Sequence, residues 1–191
     1  MAIKIFIDQG HNPTGQPNAG AQGNGLYEEN ITYNVGIYLN NLLTEDPRFE
    51  SMVSRKTPTE TLGYNNSTSL QTRVNMANDW GADYFISIHV NSNTNPAING
   101  SEVYVYAENT PAYNMATDIL NSLVNIVGTK DNNVRINKTF YVLRRTVMPA
   151  LLVELAYISN TSDAQKLRDD QYLFAYAIYI GILNYFGYNP L

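Results

Sequence analysis

The sequence predicts a single α/β domain over residues 1–191, built on a twisted, mostly parallel sheet of about six strands flanked by helices on both faces. Three observations carry this. Short apolar runs rich in β-branched residues alternate along the chain with segments of helical periodicity. Two of those runs end at the only two histidines, His11 and His89. No linker, repeat or low-complexity tract divides the 191 residues, a length that buries one substantial core unaided.

Met1 to Asp8 is a short apolar run broken by Asp8. It lacks the basic lead-in and small-residue cleavage site of a secretory signal, so Ile3 to Ile7 reads as the first strand. The turn formers Asp8-Gln9-Gly10-His11-Asn12-Pro13 end it, leaving His11 just past a strand's carboxyl end, and Pro13 to Gly25 is a loop. Ile31, Val35, Tyr38, Leu39 and Leu42 then recur at helical spacing, with Glu28 and Glu29 at that helix's start. A weaker strand is expected over Phe49 to Ser54, and a helix over Ser69 to Trp80 with Leu70, Val74 and Ala77 on one face and Gly81 as its stop.

Tyr84 to Ile88 is a second buried run, ending at His89, and Asn91, Asn93, Asn95 and Pro96 mark the loop beyond it. Val103 to Tyr106 follows too closely for a helical crossover, so it is expected as the one antiparallel neighbour. Ala116, Ile119, Leu120, Leu123 and Val127 form a third helical stripe, and Phe140 to Leu143 reads as a short strand. Pro149 to Leu155 is nearly all apolar except for Glu154; the polar stretch Ser159 to Asp163 leads from it to C-terminal helices. Tyr172 to Phe186 is apolar but falls short of the ~20 residues that span a bilayer, and reads as a buried helix.

With no cysteine, disulfides, thiolate metal sites and cysteine nucleophiles are excluded, so any transition metal must sit on His and carboxylates. The net charge of -5 argues against nucleic acid and anionic membranes as partners, because both need clustered Lys and Arg.

Ligands of open α/β sheets collect at the carboxyl edge of the strands, where neighbouring parallel strands would bring His11 and His89 together. Glu154 ends a third strand at the same edge. The loop after the first strand delivers Glu28 or Glu29, and spacing alone does not separate them; either suits a helix's first turn. Two imidazoles and one carboxylate with an open fourth position form a catalytic zinc arrangement, and a further carboxylate, Glu154, can serve it as general base. The bland alternatives are polar surface histidines, a solvated Glu28, and an ion pair of Glu154 with Arg73 or Arg144. Gly20, Gly23 and Gly25 are explained by loop flexibility, and neither G-x-S-x-G nor H-E-x-x-H is present.

Several segments resemble the N-acetylmuramoyl-L-alanine amidases of the amidase 3 family. Ile7-Asp8-Gln9-Gly10-His11-Asn12 resembles that family's opening strand and first histidine ligand, and Gly25-Leu26-Tyr27-Glu28-Glu29-Asn30 resembles its glutamate ligand segment, which favours Glu28. Leu70-Gln71-Thr72-Arg73 with Ala77-Asn78, Ser87-Ile88-His89-Val90-Asn91, Gly100-Ser101-Glu102-Val103 and Tyr141-Val142-Leu143-Arg144 resemble later segments. Met148-Pro149-Ala150 through Val153-Glu154 and Ile158-Ser159-Asn160 resembles the one carrying the catalytic glutamate.

The resemblance covers nearly the whole chain. It implies one Zn2+ per chain on His11, Glu28 and His89, Glu154 as general base, and hydrolysis of the lactyl–L-alanine amide of bacterial peptidoglycan by a single zinc amidase domain. Departures are Asn12, where glycine is common, and Ala156-Tyr157, where Gly-Phe is usual. Rival readings are a zinc peptidase cutting within the stem peptide and a non-catalytic wall-binding domain. Without an export signal, the chain is expected to be cytoplasmic until released to the cell wall, or to be the catalytic piece of a longer exported chain.

Overall fold

The computed structural model describes residues 2–191; Met1, where the first apolar run was read to begin, lies outside them. In chain order the elements are β1 (Ile3–Gln9), β2 (Gln22–Gly23), β3 (Leu26–Tyr27), α1 (Glu28–Glu45), β4 (Phe49–Val53), α2 (Asn66–Trp80) and β5 (Tyr84–Asn91). Then come β6 (Ser101–Val105), α3 (Pro111–Ser122) continued by a π-helical turn at Leu123–Val127, β7 (Asp131–Ile136), α4 (Tyr141–Arg145), β8 (Ala150–Tyr157), α5 (Thr161–Asp169) and α6 (Gln171–Phe186).

The main sheet has six strands in the order β4-β1-β5-β8-β6-β7. The first four run parallel, β6 is antiparallel to β8, and β7 is parallel to β6. The expected α/β architecture is therefore present, with two differences. The antiparallel strand Val103 to Tyr106 lies beside the Glu154 strand rather than the His89 strand, because β8 inserts between them.

The sixth strand is Asp131–Ile136, and Phe140 to Leu143 belongs to a helix instead. As an edge strand, β7 packs only Val134 against the core, so its sequence Asp-Asn-Asn-Val-Arg-Ile carries little apolar signal. In α4 the preceding Asn137 carboxamide accepts from the amides of Thr139 and Phe140, and Arg144 and Arg145 complement the helix's carboxyl end. Helix α2 begins three residues before the expected Ser69, at a capping box formed by Asn65 and Thr68.

Strand alternation divides the core between two faces. Ile5, Ile7, Ile86, Ile88, Leu151 and Val153 face α1, α3 and α6, whereas Phe6, Phe85 and Leu152 face Val74 and Ala77 of α2 and Val142 and Leu143 of α4. Helices thus cover both faces. Helix α6 buries Phe174, Ile178, Tyr179, Ile182 and Leu183, as expected, while Tyr172 stays exposed. Among the described residues no helix is long and apolar enough to cross a membrane.

Candidate metal centre

β1 and β5 are adjacent and parallel, so their carboxyl ends deliver His11 and His89 to one place; the two rings meet edge to face with centroids 4.8 Å apart. His11 follows β1 with a positive φ of 67°, an uncommon backbone for a non-glycine residue. Two contacts hold it there. Arg73 Nη2 donates to the His11 carbonyl at 2.6 Å, and His11 Nδ1 lies 3.2 Å from the Asn18 carbonyl. A carbonyl accepts only from a protonated nitrogen, so Nδ1 carries a hydrogen, and Nε2 turns toward Glu28, to which it donates when it too is protonated.

His89 sits in β5 opposite Glu154 of β8. Its ring lies against Gly10, where a Cβ would come within 2.7 Å of the imidazole. Only glycine leaves that space, which explains the residue before His11.

Glu28 is the first residue of α1. Its carboxylate accepts from the amides of Ala21 (Oε2, 2.8 Å) and Val90 (Oε1, 2.9 Å), and Oε1 is 3.1 Å from both His11 Nε2 and His89 Nδ1. Burial favours the neutral acid, yet the hydrogen bonds with His11 and His89 outweigh it and hold the carboxyl far below the ordinary range. Glu29 points elsewhere: it is fully buried, the Thr14 hydroxyl donates to Oε1, and Oε2 has no hydrogen-bond partner among the described residues. The structure thus brings Glu28 and not Glu29 to the histidines, a distinction that spacing left open.

Glu154 opens into a cavity of about 270 Å³ that it shares with His11, His89, Arg73, Phe140 and Tyr141. Its Oε2 is buried and has no hydrogen-bond partner among the described residues. Burial, reinforced by the negative charges of Glu28 and Glu102, pushes this carboxyl well above the ordinary range. The ion-pair alternative for Glu154 is not seen: Arg73 pairs with Asp8 at 2.6 Å, and among the described residues Glu154 forms no ion pair with Arg144. Ser87 also donates to Asp8 at 2.7 Å; despite burial, these partners keep Asp8 below its usual value.

Two imidazole nitrogens and a carboxylate oxygen lying within 4.8 Å of one another can hold a metal ion. Nitrogen and oxygen donors on a buried carboxylate and two largely buried rings suit a borderline divalent cation such as zinc. A larger groove of about 380 Å³, lined by Tyr106, Leu143, Arg144 and Val147, carries no such donor set.

Sequence reasoning missed the supporting residues. Asp8, Gln9, Ser54, Arg55 and Arg73 form a buried polar network beneath His11, and Glu102 lies buried beside Glu154 in the antiparallel register. Asp8 carried the same signal as Glu154, a charge inside an apolar run.

The family model described as N-acetylmuramoyl-L-alanine amidase, amidase 3, matches residues 5–184. The chain belongs to this amidase family. It is 36% identical to the N-acetylmuramoyl-L-alanine amidase CwlM of Bacillus licheniformis over 90% of this chain and 63% of that protein. It is also 36% identical to the sporulation-specific N-acetylmuramoyl-L-alanine amidase of Bacillus subtilis, over 90% of this chain and 62% of that one. The chain therefore spans a little under two thirds of these two relatives. Among solved structures, the catalytic domain of the amidase CwlV from Bacillus (Paenibacillus) polymyxa superposes with a TM-score of 0.84 at 29% identity, covering 98% of this chain and 99% of that domain.

Proposed function

We propose that the chain is a single zinc amidase catalytic domain that hydrolyses the amide between the lactyl group of N-acetylmuramic acid and L-alanine in peptidoglycan, acting at the cell wall. The observation that carries this reading is the convergence of His11 Nε2, Glu28 and His89 Nδ1 beside a carboxyl, Glu154, with an unpartnered oxygen in the same cavity.

His11, Glu28 and His89 would hold the ion. When bound, zinc supplies Lewis-acid polarisation of the scissile carbonyl and acidifies water to a pKa of roughly 7. Burial raises the Glu154 carboxyl, and Glu154 would ionise more readily with the cation bound to the three ligands. Glu154 then takes a proton from the attacking water and returns it to the departing L-alanine nitrogen. This step needs a carboxylate free of other partners, as Glu154 Oε2 is among the described residues.

The ligands are oriented from behind. The Asn18 carbonyl fixes the His11 tautomer, Arg73 fixes the His11 backbone, and the amides of Ala21 and Val90 aim the Glu28 carboxylate. Phe140 and Tyr141 wall the cavity.

Mass analysis of digested peptidoglycan tests the reading. The expected products are a glycan with a new lactyl carboxylate and a stem peptide with a free L-alanine amine, lost with chelator and restored by zinc. New termini within the stem peptide would make the enzyme a peptidase, and binding without turnover would make it a wall-binding domain.

A further inference from the structure

Five of the 12 Lys and Arg residues, Lys130, Arg135, Lys138, Arg144 and Arg145, fall within residues 130–145, where Asp131 is the only acid. The chain as a whole has a net charge of -5. This basic edge is β7 and α4, and it borders the cavity that holds Glu154.

Arg135 is the member placed to face substrate. In register it pairs with Tyr104 of β6, which pairs with Leu152 of β8, a residue lining the cavity. Cross-strand partners share a face, so Arg135 stands on the cavity side of the sheet, two strand spacings or roughly 10 Å from β8. The surface between them is continuous, because Phe140, a cavity wall, packs edge-on against Tyr104 at 5.2 Å.

The guanidinium is anchored at one end only. Its Nε–H donates to the Asn132 carbonyl at 3.1 Å and Nε lies 2.6 Å from Glu102 Oε2. The Glu102 carboxylate is itself fixed through Oε1 by the Asn91 amide and the Tyr157 hydroxyl. Nη1 and Nη2 make no hydrogen bond among the described residues, and the side chain is 50% exposed. An arginine held at Nε with its outer fork open is preorganised for bidentate capture of a planar anion.

We infer that Arg135 binds a free carboxylate on the stem peptide, within the first few residues beyond the scissile amide. This rests on the proposed amidase reading, which puts the peptide on the leaving side of Glu154. Extended peptide covers ~3.5 Å per residue, so three residues reach about 10 Å, the separation of β7 from β8.

The test uses soluble N-acetylmuramyl tripeptides with their carboxylates free or amidated. Binding is measured to the Glu154→Gln protein, and cleavage is followed with the active enzyme. Binding of the free acid is expected to be about tenfold tighter than that of the amide, in line with one charge-assisted pair. Adding Arg135→Gln should erase that preference. Arg135→Lys keeps a cation beside Glu102 but loses the fork, and should erase most of it; it guards against a folding defect in the first variant. Lys56→Gln removes the same unit of charge elsewhere and should leave the preference intact.

Equal binding of the two peptides to the parent protein, or an equal loss on both in the Arg135 variants, would overturn the inference and leave Arg135 a partner of Glu102 alone. Because binding is read separately from product identity, cleavage at the wrong bond would count against the amidase reading without touching this result.

Discussion

Arg73 holds the backbone of His11: its Nη2 donates to the His11 carbonyl at 2.6 Å, at a residue whose φ of 67° lies in the left-handed region. Such a backbone costs a non-glycine residue on the order of 1–2 kcal/mol and persists only where its surroundings impose it. The same guanidinium bonds Asp8 and the Gln9 carbonyl through Nη1, so a single buried cation ties down the end of β1 and the first metal-facing imidazole. Arg73→Met should cost about 3–5 kcal/mol of stability, as expected for breaking a buried ion pair. Arg73→Lys should fold but bind zinc more weakly, because one ammonium cannot reproduce the three-way geometry. Thermal unfolding and chelator competition measure the two effects; unchanged zinc affinity in a folded Arg73→Lys protein would show that His11 needs no such clamp.

Glu28 and Glu29 are neighbours with opposite assignments. Glu28→Gln should abolish stoichiometric zinc binding, since its Oε1 faces both imidazoles. Glu29→Gln should keep the metal and alter only stability, by about 1–3 kcal/mol for a buried group bonded to Thr14. Metal analysis of the two purified variants separates them, and an exchange of the two phenotypes would assign the ligand to Glu29.

Gly10→Ala tests how tightly the site is packed. A Cβ there would lie 2.6 Å from the Ile88 carbonyl and 2.7 Å from His89 Nε2, and the Gly10 amide is bonded to that same carbonyl at 2.9 Å. Both the Ile88 carbonyl and the imidazole must shift to admit it, so β1 and β5 are pushed apart where they carry the two histidines. Zinc affinity is expected to fall tenfold or more with the fold retained by circular dichroism, in keeping with the sensitivity of metal sites to ligand orientation. Wild-type affinity would mean that β1 and β5 separate at this point at little cost.

Glu154→Gln should bind zinc stoichiometrically and lose 10²–10⁴-fold in turnover, the usual contribution of a general base. Full activity on purified peptidoglycan would remove Glu154 from the mechanism.

Much of this was legible in the sequence, and the exceptions have physical causes. Ile3 to Ile7, Tyr84 to Ile88 and Pro149 to Leu155 are buried on both faces, so they appear as continuous apolar runs and place His11, His89 and Glu154 at one edge. Strand β7 lies at the sheet's edge with most of its residues exposed, and an edge strand need not look apolar. Phe140 to Leu143 is too short for periodicity to distinguish a strand from a single helical turn; the Asn137 side chain decides it. The partner of β6 is set by where β8 inserts, and short-range spacing holds no record of that. Glu102 gave little warning because it lies at the start of a strand next to polar loop residues, and its burial arises only when β8 pairs beside it.

The proposed chemistry requires one zinc ion shared by His11, Glu28 and His89. Anomalous diffraction at the zinc absorption edge, from crystals grown with stoichiometric zinc, tests it most directly. A single strong peak is expected at bonding distance, ~2.0–2.2 Å, from a ring nitrogen of each histidine and from a Glu28 oxygen, with Glu154 outside bonding range. A peak bound to Glu29 or Glu154 instead, or no peak between the two imidazoles, would contradict it.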